Sequence, residues 1–150
     1  MKIDLVRFGK CRTPAEQAAE FVKATTKAVA GLRIMQNRIL VGTYVQRAIS
    51  AGGIIMPDKT LDESRFQGKA GVILAMCPLA FHFKENDELM RELSAKQRTE
   101  FMRENYPQVG EWVFYRASDT WEIALGEGAP CRFIYDDVIV GRVTDPEFIW

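Results

Sequence analysis

The sequence predicts a mainly β protein, a small β-barrel with an N-terminal helix and a helical insertion. Short runs of β-branched and aromatic residues are separated by glycine-containing turns, which is typical of a small barrel. A helix-capping pattern precedes these runs, and a charged stretch of helical periodicity interrupts them. We expect an extension with the helix over 1–33 and the barrel over 34–150, with an insertion at 78–107 and a tail at 144–150.

The overall charge excludes one broad class of function. The chain has 20 Lys and Arg, 20 Asp and Glu and a formal net charge of zero. A generally cationic nucleic-acid binder is therefore not expected, and no apolar run approaches the ~18 residues of a membrane span. The N-terminal residues include an acid and have no long apolar core, so they do not predict a signal peptide. We expect a cytoplasmic protein without nucleic-acid or membrane partners, whose near-neutral surface leaves self-association open.

The first predicted element is a helix that begins after Thr13. Thr13 is suited to cap it, Pro14 to the first helical position, and Glu16 completes a capping box. Gly31 is a suitable stop. One modest apolar stripe follows at helical spacing: Ala18, Phe21, Val22, Thr25 and Val29. The helix is equally suited to dock on a partner and to pack on its own domain.

Six strands are predicted along the rest of the chain. They cover 38–41 leading into 43–45, and then 71–76, 111–115, 120–125, 131–135 and 138–143. The aromatic residues of the later strands include Trp112, Phe114, Trp121, Phe133 and Tyr135. They suit a base-stacking platform or a packed core. Between residues 112 and 135 the only basic residues are Arg116 and Arg132, too few for regular basic interleaving, which favours the core.

The insertion at 78–107 is predicted to be a solvated surface element rather than a binding helix. Residues 81–83 are expected to continue the preceding strand or to pair with a strand. Asn86 or Asp87 is expected to cap one helix. One face of this helix carries Leu89, Met90, Leu93, Gln97 and Phe101.

No catalytic, metal or cofactor site is predicted, and we expect a protein that is not an enzyme. The spacing of Cys11, Cys77 and Cys131 matches no zinc, redox or haem pattern, and Cys77 is expected to be buried. The single histidine, His82, is interpreted as a surface or packed residue. The adjacent acids at 136 and 137 would point to opposite faces of a strand.

The most unusual feature is an apolar triplet in a loop-like segment. Gly52 and Gly53 precede Ile54, Ile55 and Met56, and a proline follows. Burying each triplet side chain is worth about 1.5–3 kcal/mol, so leaving them in water is unfavourable. They either pack on their own domain or insert into a partner.

Four segments, in order, resemble the GroES-type co-chaperonin family over about two-thirds of the chain. Residues 37–41 resemble its first barrel strand, 50–58 its mobile loop and 71–76 the strand that follows. Residues 109–115 and 133–140 resemble the C-terminal half. The resemblance implies a GroES-like barrel in a seven-subunit ring that lids a chaperonin and assists protein folding.

The resemblance also implies two sets of contacts. The partner-binding residues would be Gly52, Gly53, Ile54, Ile55 and Met56. The first strand of one subunit would pair with the last strand of the next, which gives a homo-oligomer interface. That interface would contain Ile34, Ile39, Val138, Val140 and Val143.

Three segments depart from the family pattern: the leader, the insertion and the tail that ends in Phe148-Ile149-Trp150. Such additional segments are expected of a phage-encoded or otherwise specialised relative, in which they would form extra contact surfaces. The alternative function is therefore a structural virion component, such as a capsid decoration, cement or connector protein. GroES-like barrels also occur in zinc-dependent alcohol dehydrogenases, but the chain shows neither their zinc-ligand set nor their nucleotide-binding domain.

Overall fold

A computed structural model describes residues 3–46, 69–116 and 121–148 of the chain. These residues form one antiparallel sheet of six strands. The strands are β1 (Arg38–Thr43), β2 (Ala70–Met76), β3 (Trp112–Tyr115), β4 (Trp121–Leu125), β5 (Ala129–Tyr135) and β6 (Ile139–Arg142). Each lies within two residues of a predicted run, so the strand prediction is confirmed for all six.

The sheet is open. Its strand order is β4-β5-β1-β2-β3-β6, so β4 and β6 form its two edges. The closed barrel expected from the sequence is not formed by the described residues. Helical segments cover both faces of the sheet instead, so its apolar residues are buried without closure.

Alternation along the strands places two core clusters on opposite faces. Leu40 belongs to the cluster beneath the N-terminal helices, whereas Ile39 and Val41 belong to the cluster beneath the insertion. β1 and β2 are buried on both faces. This double burial explains why both strands read as nearly continuous apolar runs.

The N-terminal region contains α1 (Leu5–Gly9) and α2 (Pro14–Ala30). The Thr13 hydroxyl accepts a hydrogen bond from the Glu16 N–H at 3.1 Å, which confirms the predicted start. The helix packs on its own sheet. Its buried residues are Gln17, Phe21, Ala24 and Thr25, whereas Val22 of the predicted stripe is 53% exposed.

Two glycines allow this helix to approach the sheet closely. A Cβ on Gly42 would lie 2.5 Å from the Phe21 ring. Gly126, in the β4–β5 turn, has a positive φ of 59°, and a Cβ there would lie 2.1 Å from the Ala24 carbonyl oxygen. The segment predicted as an extension thus shares the core of the sheet.

The insertion contains two helices, α3 (Lys84–Met90) and α4 (Ala95–Asn105), rather than the predicted single helix. No side chain caps α3, so the prediction of an Asn86 or Asp87 cap is wrong. Ser94 caps α4: its hydroxyl accepts from the Gln97 N–H at 3.3 Å, and Gln97 Oε1 accepts from the Ser94 N–H at 2.9 Å. This capping box restarts the helix and divides the insertion.

Residues 81–83 form no strand. Phe81 has a positive φ of 63°, and its N–H donates to the buried Asp136 carboxylate at 2.9 Å. Its ring stacks on Tyr106 with centroids 5.1 Å apart. Asp136 thus anchors the start of the insertion to the end of β5.

Candidate functional site

The predicted partner-binding residues Gly52, Gly53, Ile54, Ile55 and Met56 lie outside the described residues. The structure does describe the two ends of the connection that contains them. β1 and β2 are neighbours in the middle of the sheet, and Thr43 pairs with Gly71 where the connection leaves and returns. The connection therefore starts and ends on adjacent central strands.

The chain entering this connection is held by a buried glutamine. The Gln17 amide donates to the Val45 carbonyl at 2.8 Å and accepts from the Val45 N–H at 3.0 Å. Its NH₂ group also donates to the Phe8 carbonyl at 3.1 Å. Gln17 is 1% exposed, so this polar side chain is buried because it satisfies buried backbone groups. It ties α2 to the base of the connection.

A polar group of side chains lies at the same end of the sheet. The Tyr115 hydroxyl lies 3.4 Å from the Ala70 carbonyl oxygen, and Thr43 and Arg132 are buried. Burial raises the pKa of Tyr115 to about 12, although the Arg132 charge and the Thr43 hydroxyl oppose that rise. Tyr115 therefore remains a neutral donor at physiological pH and is unsuited to act as a base.

The five predicted interface residues occupy different environments. Ile34 and Ile39 are buried, Val138 and Val143 are half-buried, and Val140 is 64% exposed. Ile39 pairs with Met76 on one side and Ile134 on the other. Its backbone is thus used within the sheet, and of the two predicted interface residues in this region only Ile34 lies outside a strand.

Val140 lies at an irregularity in β6. Gly141 faces Phe114 and Ile139 faces Tyr115, which leaves Val140 without a facing residue in β3. This arrangement is a β-bulge. The edge strand β6, which carries Val140, is thus four residues long and interrupted by a bulge.

Arg142 attaches the same strand to the insertion. Its guanidinium donates to the carbonyls of Arg103 at 3.0 Å and Glu104 at 2.6 Å, in the last turn of α4. It also lies 3.5 Å from the Glu111 carboxylate. A cation at a helix C-terminus interacts favourably with the helix dipole, so Arg142 stabilises the docking of α4 beside β6.

The predicted aromatic core is only partly buried. Trp112 is buried, but Trp121 is 64% exposed and Tyr135 is 41% exposed. Trp121 packs against Phe133 with ring centroids 6.0 Å apart. The Arg38 guanidinium lies 5.1 Å from the Tyr135 ring centre and donates to its hydroxyl at 3.0 Å. Sequence reasoning missed this exposed surface because alternation identifies a face but not what covers it.

The other candidate residues show no reactive arrangement. Burial raises the pKa of Cys131 to about 12, and burial together with Glu20 and Glu16 raises the pKa of Cys11. Cys77 is buried, as predicted, and His82 is exposed 3.6 Å from the Asp87 carboxylate. Over 3–46, 69–116 and 121–148, no three His, Cys, Asp or Glu side chains are grouped to hold a metal ion.

No described helix is long and apolar enough to cross a membrane. Comparison with models of known protein families and with curated protein sequences finds no match to this chain.

Proposed function

We propose that this chain is a non-enzymatic, GroES-like co-chaperonin that docks on a chaperonin through Ile54, Ile55 and Met56. Four segments of the sequence support the proposal, because they resemble segments of the family and follow one another in the family's order. Within the described residues, those that resemble strands belong to a single antiparallel sheet. The chaperonin would supply ATP hydrolysis, while this protein would help to enclose the folding substrate.

The observation that carries the proposal is the position of the connection between β1 and β2. It joins adjacent central strands at Thr43 and Gly71, and the buried Gln17 holds its base. A rigid base lowers the ordering cost of a binding segment. Several copies presented by one assembly would then add avidity to a weak individual contact.

The seven-subunit ring belongs to the same proposal, with a narrower contact than the resemblance implies. The backbone of Ile39 is paired on both sides within its own sheet. The Asn37 carbonyl also accepts a hydrogen bond from the Asp136 N–H at 3.2 Å. A neighbour's β6 would therefore have to meet residues 34–36, which precede β1.

The test replaces Ile54 and Ile55 together by Ser. We expect loss of binding to a chaperonin ring and loss of refolding yield, because the apolar contact is removed. Val109→Ser is the control, since Val109 is a 56% exposed apolar residue of a turn elsewhere. Binding and yield equal to those of the control would contradict the proposal.

The alternative is a structural component of a virus particle. It is favoured by exposed apolar side chains on the insertion and tail: Leu79 and Leu89 are 63% and 61% exposed, and Phe148 is 74% exposed. In a contact with shell proteins these side chains would be removed from water, which is favourable. Mass spectrometry of purified particles distinguishes the two, because stoichiometric presence favours the structural role and free cytoplasmic rings favour the co-chaperonin role.

A further inference from the structure

The outer edge of β4 has the properties of a surface for strand pairing. β4 is the last strand at its side of the sheet and pairs with β5, with no other described strand beside it. Its register to β5 is continuous from Trp121 to Leu125, without a bulge. Trp121 is 64% exposed at the start of the strand. A regular edge of apolar residues is a template for another strand.

The hydrogen bonds of β1 show which residues of β4 point their backbone N–H and C=O groups toward β5 and which point them outward. The Arg38 carbonyl accepts from the Cys77 N–H at 3.0 Å, so the backbone of Arg38 faces β2. Alternation along β1 and β5 then turns the backbone of Phe133 toward β4, where it faces Trp121. The backbone of residues 121, 123 and 125 therefore faces β5, and that of residues 122 and 124 faces outward.

This pattern is self-complementary about its central residue. In an antiparallel pair of two β4 strands centred on Ile123, residue 122 of one copy faces residue 124 of the other. These are the positions whose backbone points outward, so each such pair can exchange both of its hydrogen bonds. Side chains alternate between the two faces of a strand, so the facing side chains of the two copies are related by the same twofold symmetry about Ile123.

The facing side chains are also compatible. Trp121 would lie opposite Leu125 of the second copy, and Ile123 opposite its own equivalent. Glu122 would lie opposite Ala124, so the two carboxylates do not face each other directly. Apolar cross-strand pairs are favourable, whereas directly opposed like charges are not. A formal net charge of zero adds no general repulsion between copies.

We propose that two copies of this protein associate by antiparallel pairing of their β4 strands, around a twofold axis through Ile123. The contact joins two six-stranded sheets into one continuous sheet. It goes beyond the proposed function, because it needs neither a chaperonin nor a shell. An isologous contact doubles whatever assembly the chain otherwise forms: a monomer becomes a dimer, and one ring becomes a pair of rings.

The first test compares a charge in the proposed contact with a charge elsewhere on the surface. Trp121→Lys places two cations in the contact, whereas Val109→Lys changes an apolar residue of similar exposure, 56%, in the turn before β3. We expect Trp121→Lys to halve the mass measured by light scattering and Val109→Lys to leave the mass unchanged. An unchanged mass of folded Trp121→Lys, checked by circular dichroism, would overturn the proposal.

The second test does not depend on disrupting the contact. Ile123 and its equivalent would form a non-hydrogen-bonded pair, whose Cα atoms lie about 4.5 Å apart, close enough for a disulfide. Cys131 faces Ile123 within the same sheet, so the test uses a Cys11→Ser, Cys131→Ala background in which no intramolecular disulfide can form there. In this background, we expect Ile123→Cys to form a covalent dimer on mild oxidation. Val109→Cys, in an exposed turn, serves as the control for random collision. Crosslinking of Ile123→Cys no faster than that of the control would overturn the proposal.

Discussion

The two edges of the sheet differ in how they end and in what holds them. β4 is regular, carries an exposed tryptophan and continues into a turn that contacts α2 at Gly126. β6 is shorter, contains a bulge at Val140 and is attached to α4 by Arg142. Bulges and short strands are devices that prevent unwanted edge pairing. Within the part of the chain that the structure describes, one edge of this open sheet is therefore protected and the other has no strand beside it.

The difference matters because the family resemblance implies pairing at the protected edge. A co-chaperonin ring would use the last strand, which is β6 here, whereas the geometry favours β4 for strand addition. The two contacts are compatible, since they lie at opposite edges. A mass that Trp121→Lys only halves would therefore show loss of the twofold contact alone, with any ring contact retained.

The largest expected effect concerns the attachment of the β4 edge. Gly126→Ala places a Cβ 2.1 Å from the Ala24 carbonyl oxygen, in a backbone contact that cannot relax easily. We expect a loss of about 2–4 kcal/mol in the free energy of unfolding, measured by urea denaturation. Gly110→Ala is the matched control, because Gly110 also has a positive φ but no atom near its missing Cβ. Equal losses in the two variants would show that backbone strain alone is responsible.

The next largest effect is a loss of stability at high pH, caused by ionisation of Tyr115, which pairs with Ile139 of β6. Its pKa is raised from 10.0 to about 12, so the folded state holds the proton more tightly. The resulting stability is fully present below pH 10 and is lost as the pH rises through about 12. We expect this loss to reach about 2–3 kcal/mol.

Tyr115→Phe tests this assignment, because phenylalanine has no ionisable group. Denaturation of both proteins between pH 8 and 12 should show a smaller decline for the variant above pH 10. Parallel curves would contradict the assignment. Cys131, whose pKa is also raised to about 12, is present in both proteins and contributes equally.

The smallest effect concerns the attachment of β6 to the insertion. Arg142→Met removes the hydrogen bonds to the Arg103 and Glu104 carbonyls while keeping much of the aliphatic chain. The side chain is 40% exposed, so we expect a loss of only about 1 kcal/mol. Amide hydrogen exchange should become faster at the end of α4 and stay unchanged in α2. Arg142→Lys should restore part of the protection, and equal protection in all three proteins would argue against the contact.

The local elements were predictable because their signals are local. The capping residue Thr13 and the proline after it determine where α2 begins, and this needs no distant contact. The apolar runs of β1 and β2 lie between turn residues, so their ends could be assigned to within two residues. A capping box at Ser94 and Gln97 was equally readable, and it would have predicted the separate α4.

The candidate interface was less predictable because pairing partners are distant in sequence. The sequence around Ile39 fits either an edge strand or a central strand. Only the pairing of Ile39 with Met76 and Ile134 shows that its strand is central. Trp121 alternates like a core residue, yet no described element covers it enough to bury it. The predicted loop residues lie outside the described residues, so their role as a binding site stays a prediction.

The sequence by itself determined the six strands and the start of α2. These features depend on residue type, periodicity and caps within short windows. Only the tertiary structure decided that, among the described residues, the sheet stays open, β6 is bulged and attached, and β4 is an edge strand. The physical reason is that closure and exposure depend on contacts such as Arg142 with α4 and Gly126 with α2, which join residues far apart in the chain.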